Sequence, residues 1–263
     1  MLFGYYDRYQ YRSSPLIEVI CQLRFPTILS IGAQAPAAFQ EAIRHDFPRY
    51  MARQEQPTPR VKGARGPAPK LETPPTVTNY NFVSTDGLWK LNLTQDFIAL
   101  STLRYSRWEE FAQQLDKPLA AFIQLYQPAF FQRIGLRYVN AFSRKMLELE
   151  GTPWSTLIQP AFLGVLAEPD VEESAASRSS VDTQMTLSDG SHMKLHAGPG
   201  QLNGGKQDPE TKFVLDGDFS VGGSLSADRV PGTLEGLHQH AVCLFRGAVT
   251  SDLHTAMGPR PLT

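Results

Sequence analysis

Hydrophobic and polar residues alternate in several segments of the chain, as they do in strands with one buried face. The most regular segment is PLIEVICQLRF (15–25), whose alternating apolar positions are Ile17, Val19, Cys21, Leu23 and Phe25. Three further strand-like segments are TVTNYNFVS (76–84), GLWKLNLTQ (87–95) and DFIALSTLRY (96–105). The dipeptide Asp86-Gly87 favours a tight hairpin between the first two. We therefore predict a run of three antiparallel strands after residue 76.

Helical spacing of apolar residues occurs twice in the first half of the chain. A short amphipathic helix is predicted between Pro36 and Pro48, because Phe39, Ile43 and Phe47 recur at helical spacing. A longer helix is predicted from Ser106 to residue 126, with Ser106 and Glu109 as a capping box. A proline at position 118 is expected to kink or divide it.

The second half repeats this order of elements. It begins with the strand-like FFQRIGLRYVNAFS (130–143), followed by the short helical or irregular TPWSTLIQPAFLGVL (152–166). Three predicted strands come next, SVDTQMTLS (180–188), SHMKLHA (191–197) and TKFVLDGDFSVG (211–222). A long helix, with Thr233 as its N-cap, is predicted to run to Met257. FVSTDGLWKL (82–91) and MTLSDGSHMKL (185–195) also share Asp-Gly and Lys-Leu around one hairpin, although Asp-Gly turns are common.

The shared order predicts a pseudo-duplicated α+β protein with halves 1–128 and 129–263 that form one compact unit. Each half would be a β-α-β-β-β-α unit whose helices cover one face of an antiparallel sheet. This plan is similar to the TATA-binding-protein-like and helix-grip folds, but a fold does not define a function.

Composition restricts the classes of partner. The 263 residues are 41% hydrophobic, which is enough for a substantial core. Lys and Arg total 25 against 26 Asp and Glu, so no global charge favours nucleic acid or an anionic membrane. The chain has no signal-peptide pattern and no apolar run of membrane-spanning length, so we expect a cytoplasmic protein with no membrane partner. The two cysteines, Cys21 and Cys243, match no metal motif and are predicted to be buried thiols.

Two segments of opposite charge are predicted to be insertions. Residues 53–76 are rich in proline and basic residues, which predicts an exposed, mobile loop. The corresponding segment 168–180 is acidic. Both are either solvated linkers or docking segments, and in the second case Arg60, Lys62, Arg65 and Lys70 would meet an anionic partner.

The segments PLIEVICQLRF, DFIALSTLRYSRWEEF and above all RIGLRYVN (133–140) resemble a sporadically distributed family of uncharacterised bacterial and archaeal proteins of similar length. The resemblance spans nearly the whole chain and implies no enzymatic activity, cofactor or catalytic residues. The patchy distribution of that family would suit an accessory role in a defence or mobile-element system.

RIGLRYVN places two arginines on the polar face of a predicted strand. If the last strand of each half pairs with the first, Arg133 and Arg137 lie beside Asp216 and Asp218. Three interpretations stay open: a cross-strand ion network, a surface for a ligand or partner, and a metal or acid–base site. Further residues expected on this face are Glu18, Gln22, Arg24, Lys90 and Asn92.

No recognisable catalytic set or cofactor motif accompanies these residues. His192 and His196 would lie about 13 Å apart in a strand, too far to share one metal ion. GxSxG and HExxH are absent. The sequence thus predicts a non-enzymatic binding or adaptor protein with a protein partner. The alternatives are nucleic-acid or nucleotide binding through Arg133, Arg137 and the basic loop, and a metal-dependent hydrolase at Asp216 and Asp218.

Overall fold

A computed structural model describes residues 4, 6–56, 60–62, 70–72, 75–202 and 208–262, with only the backbone described for 60–62 and 70–72. This part of the chain contains thirteen strands and six α-helices. The strands are β1 (Tyr9–Tyr11), β2 (Leu16–Arg24), β3 (Arg49–Glu55), β4 (Arg60–Lys62), β5 (Lys70–Glu72), β6 (Val77–Val83), β7 (Trp89–Leu93), β8 (Phe97–Thr102), β9 (Phe131–Phe142), β10 (Val181–Thr186), β11 (His192–Gln201), β12 (Thr211–Leu225) and β13 (Pro259–Pro261). The helices are α1 (Leu29–Ala33), α2 (Ala37–Ile43), α3 (Trp108–Tyr126), α4 (Trp154–Leu157), α5 (Val230–Ala248) and α6 (Ser251–Ala256).

Nine strands form one sheet in the order β10-β11-β12-β9-β2-β8-β7-β6-β3. Every neighbouring pair in it is antiparallel. The predicted α+β class with antiparallel pairing is therefore confirmed. β2 and β9 pair near the middle of the sheet, where Cys21 lies opposite Leu136. Outward from this pair the order is β8-β7-β6-β3 on one side and β12-β11-β10 on the other.

The long helices α3 and α5 cover one face of the sheet and form the core with it. Phe122 of α3 packs on Phe25, with ring centroids 4.7 Å apart. Helix α5 approaches β12 closely because residue 217 is glycine: a Cβ there would lie 2.7 Å from Cδ2 of Leu244. Alternate residues of β12 and β9 point into this core, and the residues between them point away from the helices. No helix in the described ranges is long and apolar enough to cross a membrane.

Three predictions about where helices begin or end are wrong, and the helix that contains Pro118 is continuous. α3 begins at Trp108 without a capping box, because the Ser106 hydroxyl donates to Glu110 instead. Pro118 does not divide α3, since burial of its apolar stripe outweighs one lost hydrogen bond. α5 begins at Val230, ahead of the predicted N-cap Thr233, and proline is tolerated in its first turn. The final helix also ends at residue 248, and α6 follows as a separate helix.

The basic insertion differs from the predicted loop. Residues 53–55 belong to β3, an edge strand that pairs with β6, and 60–62 pair with 70–72 as a short hairpin. Every side chain of β3 is exposed, so its sequence carries no alternation that would reveal a strand. Arg65 lies outside the described residues, as do the side chains of Arg60 and Lys62. The docking hypothesis for this basic segment therefore stays a prediction.

The two cysteines occupy different environments. Cys21 is fully buried in the core, and burial raises the pKa of its thiol to about 12, so it stays protonated and unreactive. Cys243 is half-buried, and its thiol donates to the carbonyl oxygen of Gly4 at 3.0 Å. The prediction of a buried thiol is thus confirmed for Cys21 only.

Candidate binding surface on the open sheet face

The sheet face opposite α3 and α5, hereafter the open face, carries two ion pairs between β9 and β12. Nη2 of Arg133 lies 2.7 and 2.9 Å from the two carboxylate oxygens of Asp218. Nε of Arg137 lies 2.7 Å from Oδ1 of Asp216, and its Nη2 contacts Oδ2. Of the three interpretations, the cross-strand ion pairs are therefore present, and the surface for a ligand or partner stays a prediction. Each arginine reaches its aspartate diagonally, because Arg137 is directly opposite Asp218 in the strand register.

Gly135 gives the Arg133 side chain the space for this contact. A Cβ at residue 135 would lie 2.2 Å from Nη1 and 2.6 Å from Cζ of Arg133. Any side chain larger than hydrogen would occupy the volume that the guanidinium fills. The glycine between the two arginines thus has a packing role on the open face, and φ at this residue is not positive.

The Arg137–Asp216 pair is asymmetric in exposure. The Asp216 side chain is 17% exposed, whereas that of Arg137 is 45% exposed. The hydrogen bond from Arg137 to Asp216 raises the pKa of the arginine, although partial burial opposes this shift. Arg137 stays charged and supplies the partner that the more buried carboxylate requires.

Around these pairs lie cations that contact no carboxylate of a described residue at ion-pair distance. Arg24 of β2 lies directly opposite Arg133, and Lys90 of β7 lies opposite Ser101. Both are exposed, as the sequence predicts. Glu18, also on β2, is half-buried, and its charge contributes to the raised pKa of Arg137. The open face consequently has exposed positive charge beside an internally neutralised centre.

Further exposed cations on this face were not predicted from the sequence, and one of them is Arg53 of β3, which lies opposite Asn79. Lys194 of β11 lies opposite Asp218, and Arg49 of β3 lies opposite Val83. Neither forms an ion pair with a described residue. Lys194 could have been found from the alternation in SHMKLHA, which places it between the buried Met193 and Leu195. Arg49 could not, because β3 lacks alternation.

A shallow cavity of about 300 Å³ opens on this face beside the Arg137–Asp216 pair. It is bounded by Lys194 and by His196, whose Nδ1 lies 2.8 Å from Oδ1 of Asp182. Toward the opposite edge of the same face, Asn92 donates to the side-chain oxygens of Asn79 and Asn81 at 3.0 and 2.8 Å. Asn92 is therefore held within an amide cluster.

The aspartates and histidines that could bind a metal have other side-chain partners. Among the described residues no group of three His, Cys, Asp or Glu side chains is arranged to hold a metal ion. Asp216 and Asp218 each hold a guanidinium group, and His192 contacts the Thr186 hydroxyl. His238 contacts Tyr138 and His240 contacts Asp189. A metal at the two aspartates would have to displace both arginines.

Comparison with protein-family models gave no match, and comparison with curated proteins gave no relative.

Proposed function

We propose that this protein is a non-enzymatic binding protein whose open face engages the acidic surface of another protein. The observation that carries the proposal is the set of exposed cations without an ion-pair partner among the described residues, Arg24, Arg49, Lys90 and Lys194. Exposed positive charge on a polar surface steers partners of opposite charge and selects among them.

The Arg133–Asp218 and Arg137–Asp216 pairs serve as the fixed centre of this surface. Both arginines already have carboxylate partners, so an incoming group gains little from them unless it displaces an aspartate. The surrounding cations can bind an incoming carboxylate without displacing an aspartate. This distribution of charge favours a partner that lies over the two ion pairs and places its own carboxylates on the surrounding cations.

Nucleic-acid or nucleotide binding through Arg133, Arg137 and the basic loop is the alternative proposal. It requires phosphate groups to compete with two hydrogen-bonded aspartates. It also predicts that the logarithm of the affinity falls steeply with the logarithm of the salt concentration. Hydrolysis at Asp216 and Asp218 is a third proposal and requires a divalent cation to replace both guanidinium groups.

The finer description of the fold is part of the proposal as well. We infer that the halves 1–128 and 129–263 arose by duplication of one unit in a TATA-binding-protein-like plan. The support is the strand order outward from the centre, β2-β8-β7-β6 in one half and β9-β12-β11-β10 in the other. Membership in the sporadic family, with a role in defence or mobile-element systems, is likewise a proposal, and it rests on the segments PLIEVICQLRF, DFIALSTLRYSRWEEF and above all RIGLRYVN.

The experiment is affinity purification from the native host with and without nuclease, followed by mass spectrometry and nucleic-acid analysis. The wild-type chain is compared with the charge-reversed variant Arg24→Glu/Lys90→Glu. The matched control is Arg229→Glu/Arg260→Glu, whose exposed arginines lie outside the nine-stranded sheet. A nuclease-resistant protein partner that is lost only from the first variant supports the proposal. Recovery of no stable partner, or equal recovery by both variants, contradicts it.

A further inference from the structure

A second cavity lies on the helix-covered side of the sheet, which is the side opposite the open face. Its volume is about 230 Å³, somewhat below the usual range of pockets for drug-sized ligands, so it would suit a small molecule. The walls come from the segment 7–16, the start of α3, β9 and one face of α5. We call it the His238 cavity.

This cavity is lined by residues with buried polar atoms that have no hydrogen-bond partner among the described residues. His238 is only 4% exposed, and its Nε2 is buried without a hydrogen-bond partner among the described residues. Nε and Nη1 of Arg246 are buried in the same condition, although the guanidinium group as a whole also contacts the Tyr11 hydroxyl. Buried donors and acceptors in native proteins nearly always have partners, so several such atoms around one cavity indicate a ligand that supplies them.

His238 is held rigidly in its orientation. Its Nδ1 lies 2.8 Å from the Tyr138 hydroxyl, and the Trp108 ring stacks on it with a centroid distance of 4.7 Å. Burial, with the positive charge of Arg8, lowers the pKa of His238 to about 4, so the ring is neutral at pH 7. When the Tyr138 hydroxyl donates to Nδ1, the hydrogen of the ring lies on Nε2 and this atom is a donor.

The charge of the walls favours an anion. Among the described lining residues are three arginines, Arg8, Arg107 and Arg246, and one acidic residue, Asp7. Arg8 is paired with Glu109 at 2.7 Å, but Arg246 forms no ion pair with a described residue and lies near the rings of Tyr6 and Tyr9. His238 and Arg246 are eight residues apart on α5, which separates their backbones by about 12 Å along the helix.

Between these two ends the walls are aromatic. Tyr11, Tyr105 and Phe245 all line the cavity. Tyr105 is T-shaped against Tyr138, and Tyr11 is tilted against Phe245. Flat apolar surfaces of this kind bind a planar ring, while the polar groups at the ends fix its orientation.

We propose that the His238 cavity binds a small organic anion with a planar body, whose carboxylate or phosphate accepts hydrogen bonds from Arg246. The ring lies against the aromatic walls, and a second acceptor of the ligand contacts Nε2 of His238. This ligand binding is separate from the protein contact proposed for the open face, because the two sites lie on opposite faces of the sheet.

The test uses ligand-observed NMR and calorimetry on the full chain with four probes of similar shape. Benzoate and phenyl phosphate represent the two anionic groups, and benzamide and benzylamine are the neutral and cationic controls. We expect at least one anion to bind with a Kd of about 1 mM or lower and benzylamine not to bind. Which anion binds more tightly distinguishes carboxylate from phosphate.

Two substitutions locate the binding. Arg246→Met should weaken anion binding at least about tenfold, a change that calorimetry resolves. The control Arg229→Met, at an exposed arginine just before α5, should leave it unchanged. His238→Gln provides a second variant that keeps a polar side chain if Arg246→Met fails to fold. The proposal is overturned if neither anion binds up to about 10 mM, if benzylamine binds equally well, or if the folded variants bind like the wild type.

Discussion

The guanidinium group of Arg133 occupies the space that a side chain at Gly135 would fill, with Nη1 2.2 Å from the position of a Cβ there. From this position it reaches the carboxylate of Asp218 on the neighbouring strand. The glycine and the arginine thus act as one unit on the open face. The same strand carries Arg137, whose partner is Asp216. A segment with two arginines around a glycine is explained by packing and charge within the sheet.

Replacing Gly135 by alanine should push the Arg133 guanidinium away from Asp218. We expect Gly135→Ala to lower the free energy of unfolding by about 1–2 kcal/mol in urea titrations. In an Arg133→Ala background the same substitution should cost almost nothing, because no side chain then lies over residue 135. Equal costs in both backgrounds would show that some other contact makes alanine unfavourable.

Removing the arginine of the second pair should leave a mostly buried carboxylate unpaired. We expect Arg137→Met to lower the free energy of unfolding by about 1–3 kcal/mol, and the added Asp216→Asn to restore part of it. A double-mutant cycle measures this coupling. The control is Lys117→Met, which breaks the exposed pair with Asp46 and should cost about 0.2–1 kcal/mol. Additive effects of the two open-face substitutions would rule out the coupling.

The buried His238 should make stability depend on pH. Its pKa is about 4 in the folded state and 6.5 in the unfolded state, so the unfolded chain binds more protons between these values. The stability that the neutral His238 contributes is therefore full above pH 6.5 and falls by about 3 kcal/mol as the pH decreases to about 4. The difference between wild type and His238→Gln, measured by urea unfolding across this range, isolates the effect. A His238→Gln variant with the same dependence on pH as the wild type would contradict this assignment.

The strands could be predicted wherever one face is buried. In β2 and β12 apolar side chains alternate with polar ones, so the sequence alone predicts which residues face the core. The ion pairs followed from one further assumption, that the last strand of the second half pairs with its first. Local pattern and a simple topology were therefore sufficient to locate the centre of the open face.

Other features depend on tertiary contacts that leave no local pattern. β3 is exposed on both faces and pairs with β6 through its backbone, so its sequence does not differ from that of a loop. β1 and β13 join opposite ends of the chain, with Tyr9 opposite Pro261. The His238 cavity is assembled from four distant segments, and its aromatic residues read as ordinary core positions in the sequence.

The central claim is that the exposed cations of the open face bind an acidic protein, and the affinity of the purified partner tests it most directly. Calorimetry would compare the wild type with Arg24→Glu, Lys194→Glu and the control Arg229→Glu. We predict that each open-face reversal raises the Kd about tenfold or more and that the control leaves it unchanged. An unchanged Kd for both open-face variants would contradict the account.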